Sequence, residues 1–213
     1  MIGIFGGTFD PIHYGHLRPA SEVRHSLDLD ALYLVPAANP PHRVSPIATP
    51  AQRMAMLELA MTEFPDLKAD DRELQRGGLS YTVDTLQSFR SDYPQTALVL
   101  LMGTDAFEGI ESWHQWQRLP ELAHLIVMQR PGWEPESSRD WVAERIASSA
   151  SELATQLAGR ILFYPVTPQA ISATGIREAL AAGGQVSGML PQPVLDYINQ
   201  NHIYIDNYTG IFL

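Results

Sequence analysis

The sequence predicts an α/β fold, a doubly wound and mostly parallel sheet with helices on both faces. Three observations carry that expectation. Short strand-length apolar runs alternate with helix-length segments along the whole chain. Runs such as ALYLVP (31–36) and ALVLLMG (97–103) are apolar almost throughout, as strands covered on both faces are. No repeat and no low-complexity linker interrupts the 213 residues, so a single domain over 1–213 is expected.

The elements follow in order. IGIFG (2–6) reads as a short buried strand. Residues 14–27 read as a helix, with Leu17, Ala20, Val23 and Leu27 at spacings of 3, 3 and 4. ALYLVP is the second strand, ended by its proline, and 37–50 is a proline-dense loop too long to be a plain connector. Residues 51–63 are helical and LKADD (67–71) contains a short strand. RGGLS (76–80) is a turn, and 81–93 a helix with Thr82 near its N-cap. After the strand 97–103 come short helices and turns over 105–122, around Trp113, His114 and Trp116. HLIVMQRPG (124–132) is a strand running into a turn, 135–157 a polar helical excursion on the surface, and RILFYPV (160–166) the last strand. The C-terminal part, from about 171, holds helices at 173–182 and 190–200, the second opened by Pro191 or Pro193, and an atypical apolar and aromatic tail at 205–213. In such a Rossmann-like sheet, ligands lie beyond the carboxyl ends of the strands, which selects 6–10, 36–43, 103–105, 130 and 165–174.

Composition narrows the chemistry. There is no cysteine, which excludes disulfides, thiolate nucleophiles and cysteine-ligated metals. No apolar run approaches the ~20 residues of a membrane helix, and the first residues lead straight into a strand, so no membrane partner and a cytoplasmic location are expected. Net charge is −10 with no basic stripe, which argues against nucleic acid as a partner. Lys68 is the only lysine among 14 basic residues. Anion chemistry must therefore run on arginine, histidine, backbone N–H groups or a metal ion.

The opening stretch GGTFDPIHYGH (6–16) concentrates such donors. Glycines after a strand allow close approach of a phosphate, or simply a tight turn. The chain has neither a P-loop nor a Gly-x-Gly-x-x-Gly fingerprint. His13 and His16 share one face of a helix's first turn, where imidazole N–H groups and the helix terminus favour an anion. Two capping histidines, or a zinc pair completed from elsewhere, are the alternatives that spacing alone leaves open.

The run His13-Tyr14-Gly15-His16 after GGTF resembles the signature of the HxGH nucleotidyltransferase superfamily, and ISATGIR (171–177), about 160 residues on, is similar to its second signature. Between them, NPPHR (39–43), SYT (80–82), GTDAF (103–107), SWHQW (112–116) and QRPG (129–132) resemble the bacterial nicotinate-nucleotide adenylyltransferases, over nearly the whole chain to about Tyr204. The resemblance implies transfer of AMP from ATP to nicotinate mononucleotide, with deamido-NAD and pyrophosphate as products, and Mg²⁺ carried on the ATP phosphates with no metal ligand from protein side chains. It implies catalytic roles for His13, His16 and Arg177. Gly6, Gly7, Thr8 and Phe9 would line the ATP site, with Gly103 and Asp105 on the ribose and Ser172, Thr174 and Arg177 on the phosphates. Asn39, Arg43, Thr82, Trp113, His114 and Arg130 would surround the mononucleotide. Trp113 would stack on the pyridine ring, and Trp116 is expected in the core. His114 stands where the family commonly has tyrosine. A homo-oligomer is neither required nor excluded by the sequence.

Overall fold

The computed structural model describes residues 1–39, 45–129 and 139–205. Arg43, Arg130 and the tail from 206 onward lie outside the described residues. Six strands, β1 (Ile2–Gly7), β2 (Ala31–Pro36), β3 (Leu67–Ala69), β4 (Leu98–Gly103), β5 (His124–Gln129) and β6 (Ile161–Pro165), form one sheet in the order β3-β2-β1-β4-β5-β6. Every pairing is parallel. The mostly parallel expectation thus becomes wholly parallel among the described residues.

Period-2 alternation sorts the strand residues onto two apolar layers. Phe5, Leu32, Leu34, Val99, Leu101, Ile126 and Met128 face one layer. It is closed by α1 (Tyr14–Ser26), α2 (Pro50–Ala60), α9 (Ala173–Ala181) and α10 (Gln192–Gln200), which contribute Leu17, Val23, Met56, Leu57, Ile176 and Ile198. Ile2, Ile4, Val35, Leu98, Leu100, Leu125 and Val127 face the other. There α4 (Thr82–Asp92), α5 (Thr104–Glu108) and α6 (Leu119–Leu122) bury Val83, Leu86, Phe89, Phe107 and Leu119. Continuous apolar strands are what two covered faces require.

Three local results differ from expectation. Residues 72–76 form a short helix, α3 (Arg72–Arg76), where no element was assigned, closed by Gly77 at φ +65°. α2 begins at Pro50 through a reciprocal cap: Thr49 Oγ1 accepts from Gln52 N–H and Gln52 Oε1 from Thr49 N–H. The expected excursion at 135–157 is, within the described residues, only two single turns, α7 (Asp140–Ala143) and α8 (Ala150–Leu153). It is not merely superficial, because Val142, Ala147 and Leu153 are buried and Ile146 bridges to Ile161. The polar composition hid three inward anchors.

The strand order reverses between β1 and β4, so their carboxyl ends flank the crevice of the sheet. The opposite end is closed by Arg90. Its guanidinium donates to the carbonyls of Tyr93, Thr96, Leu122 and Leu157, tying α4 to the start of β4 and the ends of α6 and the 150s. Replacing Arg90 with alanine should lower unfolding free energy by about 2–3 kcal/mol, since it orphans carbonyls held by a charged donor. Urea titration checks this.

Candidate active site

The site is built on the segment between β1 and α1. Gly6 and Gly7 were expected to form a turn or nest, but they are the last rungs of β1, paired with Val35 and Pro36. Neither has a positive φ; the chain turns at Phe9, with φ +49°. Their bareness answers to space. A Cβ on Gly7 would lie 2.6 Å from the Phe9 ring, whereas one on Gly6 would meet nothing within 4 Å. Gly6 therefore leaves an open approach to backbone, as does Gly103 at the end of β4. The Phe9 side chain is buried, edge-on to Phe5 and His16 at centroid separations of 5.9 and 5.2 Å. Only its backbone remains for a ligand.

Asp10, before Pro11, organises the loop. Its carboxylate accepts from Ile47 N–H (2.9 Å), Ala48 N–H (3.0 Å) and Tyr204 Oη–H (2.7 Å). Burial, with the Asp10 carboxylate beside it, pushes the Tyr204 phenol far above its usual range, so it stays a donor. The Asp10 carbonyl accepts from Arg177 Nη1 at 2.7 Å. Arg177 also donates to Thr174 Oγ1 at 3.2 Å. One guanidinium thus joins the two sequence motifs directly.

His13 is the N-cap residue of α1 in extended conformation, and His16 lies in the first turn. Their rings stack, 3.8 Å between centroids and 26° between planes. His13 is 4% exposed, and its Nδ1 has no hydrogen-bond partner among the described residues. Burial pushes its imidazole down to about 4. Gly15 sits between the motifs: a Cβ there would be 2.8 Å from His13 Nδ1 and 2.9 Å from Ile171 O. Any side chain would push the histidines away from Ile171, the first residue of ISATGIR. Ser172 caps α9, its Oγ accepting from Gly175 N–H at 3.1 Å. That is the capping role its position suggests, and the hydroxyl hydrogen is left to donate. A cavity of about 440 Å³ runs along α9, lined by Ile47, Thr174, Arg177, Glu178 and Tyr204 among others.

Of the residues expected around the mononucleotide, the described ones are brought together in part. Ala38 N–H donates to Ser80 Oγ at 2.7 Å, and Asn39 O accepts from Ser80 N–H at 3.0 Å, which draws the segment after β2 against the start of α4. Asn39's own amide donates to Gly78 O. Thr82 is the first residue of α4, after the cap residue Tyr81. The His114 ring lies 4.3 Å from that of Tyr81, which brings the 113–114 turn beside Thr82. Trp113 and Trp116 are both half-buried against the same apolar layer, Trp116 also meeting Trp141 at 5.0 Å. Burial does not divide them into platform and core residue, because both sit at the edge of that layer. Asp105 is exposed in the first turn of α5, beside Gly103.

The sequence reading missed Arg53. It is fully buried on α2, with Nη1 donating to Thr8 O and Nη2 to Ala38 O. The signal was available: Arg53 occupies an apolar-stripe position three, four and seven residues before Met56, Leu57 and Ala60. Among the described residues no three His, Asp or Glu side chains gather to hold a metal ion, and no helix is long and apolar enough to cross a membrane.

The chain is similar to known proteins over nearly its whole length. Residues 4–179 match the model of the cytidylyltransferase-like family. A probable nicotinate-nucleotide adenylyltransferase of Methylococcus capsulatus is 46% identical over 96% of this chain and 99% of its own length. One from Halorhodospira halophila is 48% identical over 91% of this chain and 90% of its own. In fold, the chain is similar to the Plasmodium falciparum nicotinic acid mononucleotide adenylyltransferase complexed with NaAD, with a TM-score of 0.75, 17% identity, and coverage of 95% and 96% of the two chains.

A pH effect follows from His13. The folded chain holds it neutral down to about pH 4, while in the unfolded chain it takes up a proton below its ordinary 6.5. Its contribution to stability is therefore complete above pH 6.5 and is lost as pH falls from 6.5 toward 4, by about 3 kcal/mol in all. Urea unfolding at pH 7.5 and pH 4.5 should show the loss, and His13→Asn should remove that share of it.

Proposed function

The chain belongs to the cytidylyltransferase-like family, among the nicotinate-nucleotide adenylyltransferases, and we propose the chemistry by which it makes deamido-NAD and pyrophosphate from nicotinate mononucleotide and ATP. A 5′-phosphate oxygen of the mononucleotide attacks the α-phosphorus of ATP in line. A P–O bond forms there as the bond to the β-phosphate oxygen breaks, and no covalent enzyme intermediate arises. The nucleophile is already anionic, so catalysis is positioning and charge stabilisation rather than base chemistry.

The observation that carries this reading is the Arg177 to Asp10 O hydrogen bond, together with Gly15 set against Ile171 O. They bring the arginine of the second motif to the segment that bears the stacked histidines. His13, held neutral by burial, offers an N–H to a phosphate oxygen without burying a cation. His16 serves the same phosphates from the first turn of α1, whose N-terminus adds its partial positive charge. Arg177 stabilises the departing pyrophosphate, with bidentate geometry that a lysine lacks. Ser172, Thr174 and the N-terminus of α9 hold the β- and γ-phosphates, and Gly103 and Asp105 hold the ribose. Mg²⁺ comes with ATP and offsets charge on its phosphates. Asp10 is not offered to it, because its carboxylate already receives three donors.

On the other side, Thr82 and nearby N–H groups receive the nicotinate carboxylate, Trp113 and His114 flank the ring, and Asn39, Arg43 and Arg130 surround the rest. A donor-lined pocket leaves an amide NH₂ facing donors, so nicotinamide mononucleotide is rejected. Pyrophosphate release with ATP and Mg²⁺ should show kcat/KM for nicotinate mononucleotide more than about tenfold above that for nicotinamide mononucleotide. Equal values would refute the pocket as described. His16→Ala should fold normally and lose roughly 10²–10³-fold in kcat, the scale of removing one oxyanion donor; near-normal turnover would remove histidine from the mechanism.

A further inference from the structure

Arg53 is 0% exposed and has no part in the phosphate chemistry above. A position that only packed α2 against the sheet would be cheaper to fill with an apolar side chain, because an interior charge must be stripped of water. Burial does pull this guanidinium below its ordinary range, and Asp10, Tyr204 and Glu73 oppose that pull. Its Nε has no hydrogen-bond partner among the described residues, so the side chain is not simply saturated by its surroundings.

What the fork touches gives its presence a purpose. Nη1 donates to Thr8 O at 2.8 Å, and Thr8 lies in the segment leading to His13 and His16. Nη2 donates to Ala38 O at 3.3 Å. Ala38 and Asn39 are bonded in turn to Ser80, two residues before Thr82 opens α4. One planar cation therefore spans the ATP side and the mononucleotide side of the crevice from beneath. The two segments also meet at Ala37 N–H on Gly7 O, a continuation of the sheet ladder.

We infer that Arg53 is a positioning residue that couples the two nucleotide half-sites, so that ordering one backbone segment by its ligand orders the other. The inference rests on the assignment of the two halves under Proposed function. Coupling of this kind is reciprocal, and a lysine ammonium, a point donor on a flexible stem, cannot hold two carbonyls in one plane as the guanidinium does.

The test is calorimetric titration with a non-hydrolysable ATP analogue, with and without saturating nicotinate mononucleotide. In the unaltered protein the mononucleotide should tighten the analogue by about fivefold or more. In Arg53→Lys that ratio should fall to within about twofold of unity. A purely structural brace would lower the melting temperature and leave the ratio intact, so an unchanged ratio in a folded Arg53→Lys protein overturns the inference. If Arg53→Lys and Arg53→Met both fail to fold, hydrogen exchange on the unaltered protein decides. Mononucleotide alone should slow exchange of the amides of residues 7–9, and no slowing overturns the coupling. Failure of the unaltered protein to bind either nucleotide overturns the site assignment, and this inference with it; normal binding and turnover without coupling overturns the inference alone.

Discussion

The carboxylate of Asp10 is the constraint on which the rest of the site depends. A buried carboxylate without partners would be costly enough to forbid the loop. Here it collects the backbone N–H groups of Ile47 and Ala48, just before α2, and the hydroxyl of Tyr204, while the backbone carbonyl of Asp10 collects Arg177. Those four bonds bring together residues from the beginning, the first third and the end of the chain. They also fix the stretch between Phe9 and His13, so that α1 begins with both imidazoles already stacked. The histidines are placed by a residue that itself need not touch a nucleotide.

Much of this was legible. Strand and helix positions followed from apolar periodicity, because each strand is buried on both faces and each main helix on one. Both motifs were visible because their residue types are rare together. What was not legible is what depends on packing across long separations. Gly6 and Gly7 looked like a turn, yet Gly7 is bare because the Phe9 ring lies against it. The polar stretch 135–157 looked superficial, yet within its described residues Val142, Ala147 and Leu153 anchor it. Arg53 reads as surface charge unless its place in the apolar stripe of α2 is noticed. Trp113 and Trp116 share one layer, and the sequence gives no sign of that.

The charge pattern also becomes intelligible. A chain of net charge −10 that handles triphosphates avoids a broad basic face and concentrates a few donors at one crevice. Arg177 is partly buried and bonded to backbone, Arg53 is buried beneath, and His13 is neutral. Rigid, individually placed donors substitute for a field. Such a crevice presents a few fixed donors rather than a diffuse attraction.

The bond between Arg177 and the Asp10 carbonyl also has a consequence in time. It joins residues 167 positions apart in the chain. During synthesis the N-terminal segment emerges first, and β1, α1 and β2 can associate while most of the polypeptide is still unmade. A nascent chain that has reached only β5 holds both histidines but not Arg177. Contacts of such sequence separation form late, because the loop they close must first be ordered. The contact between the two motifs is therefore absent until α9 has been made and has docked.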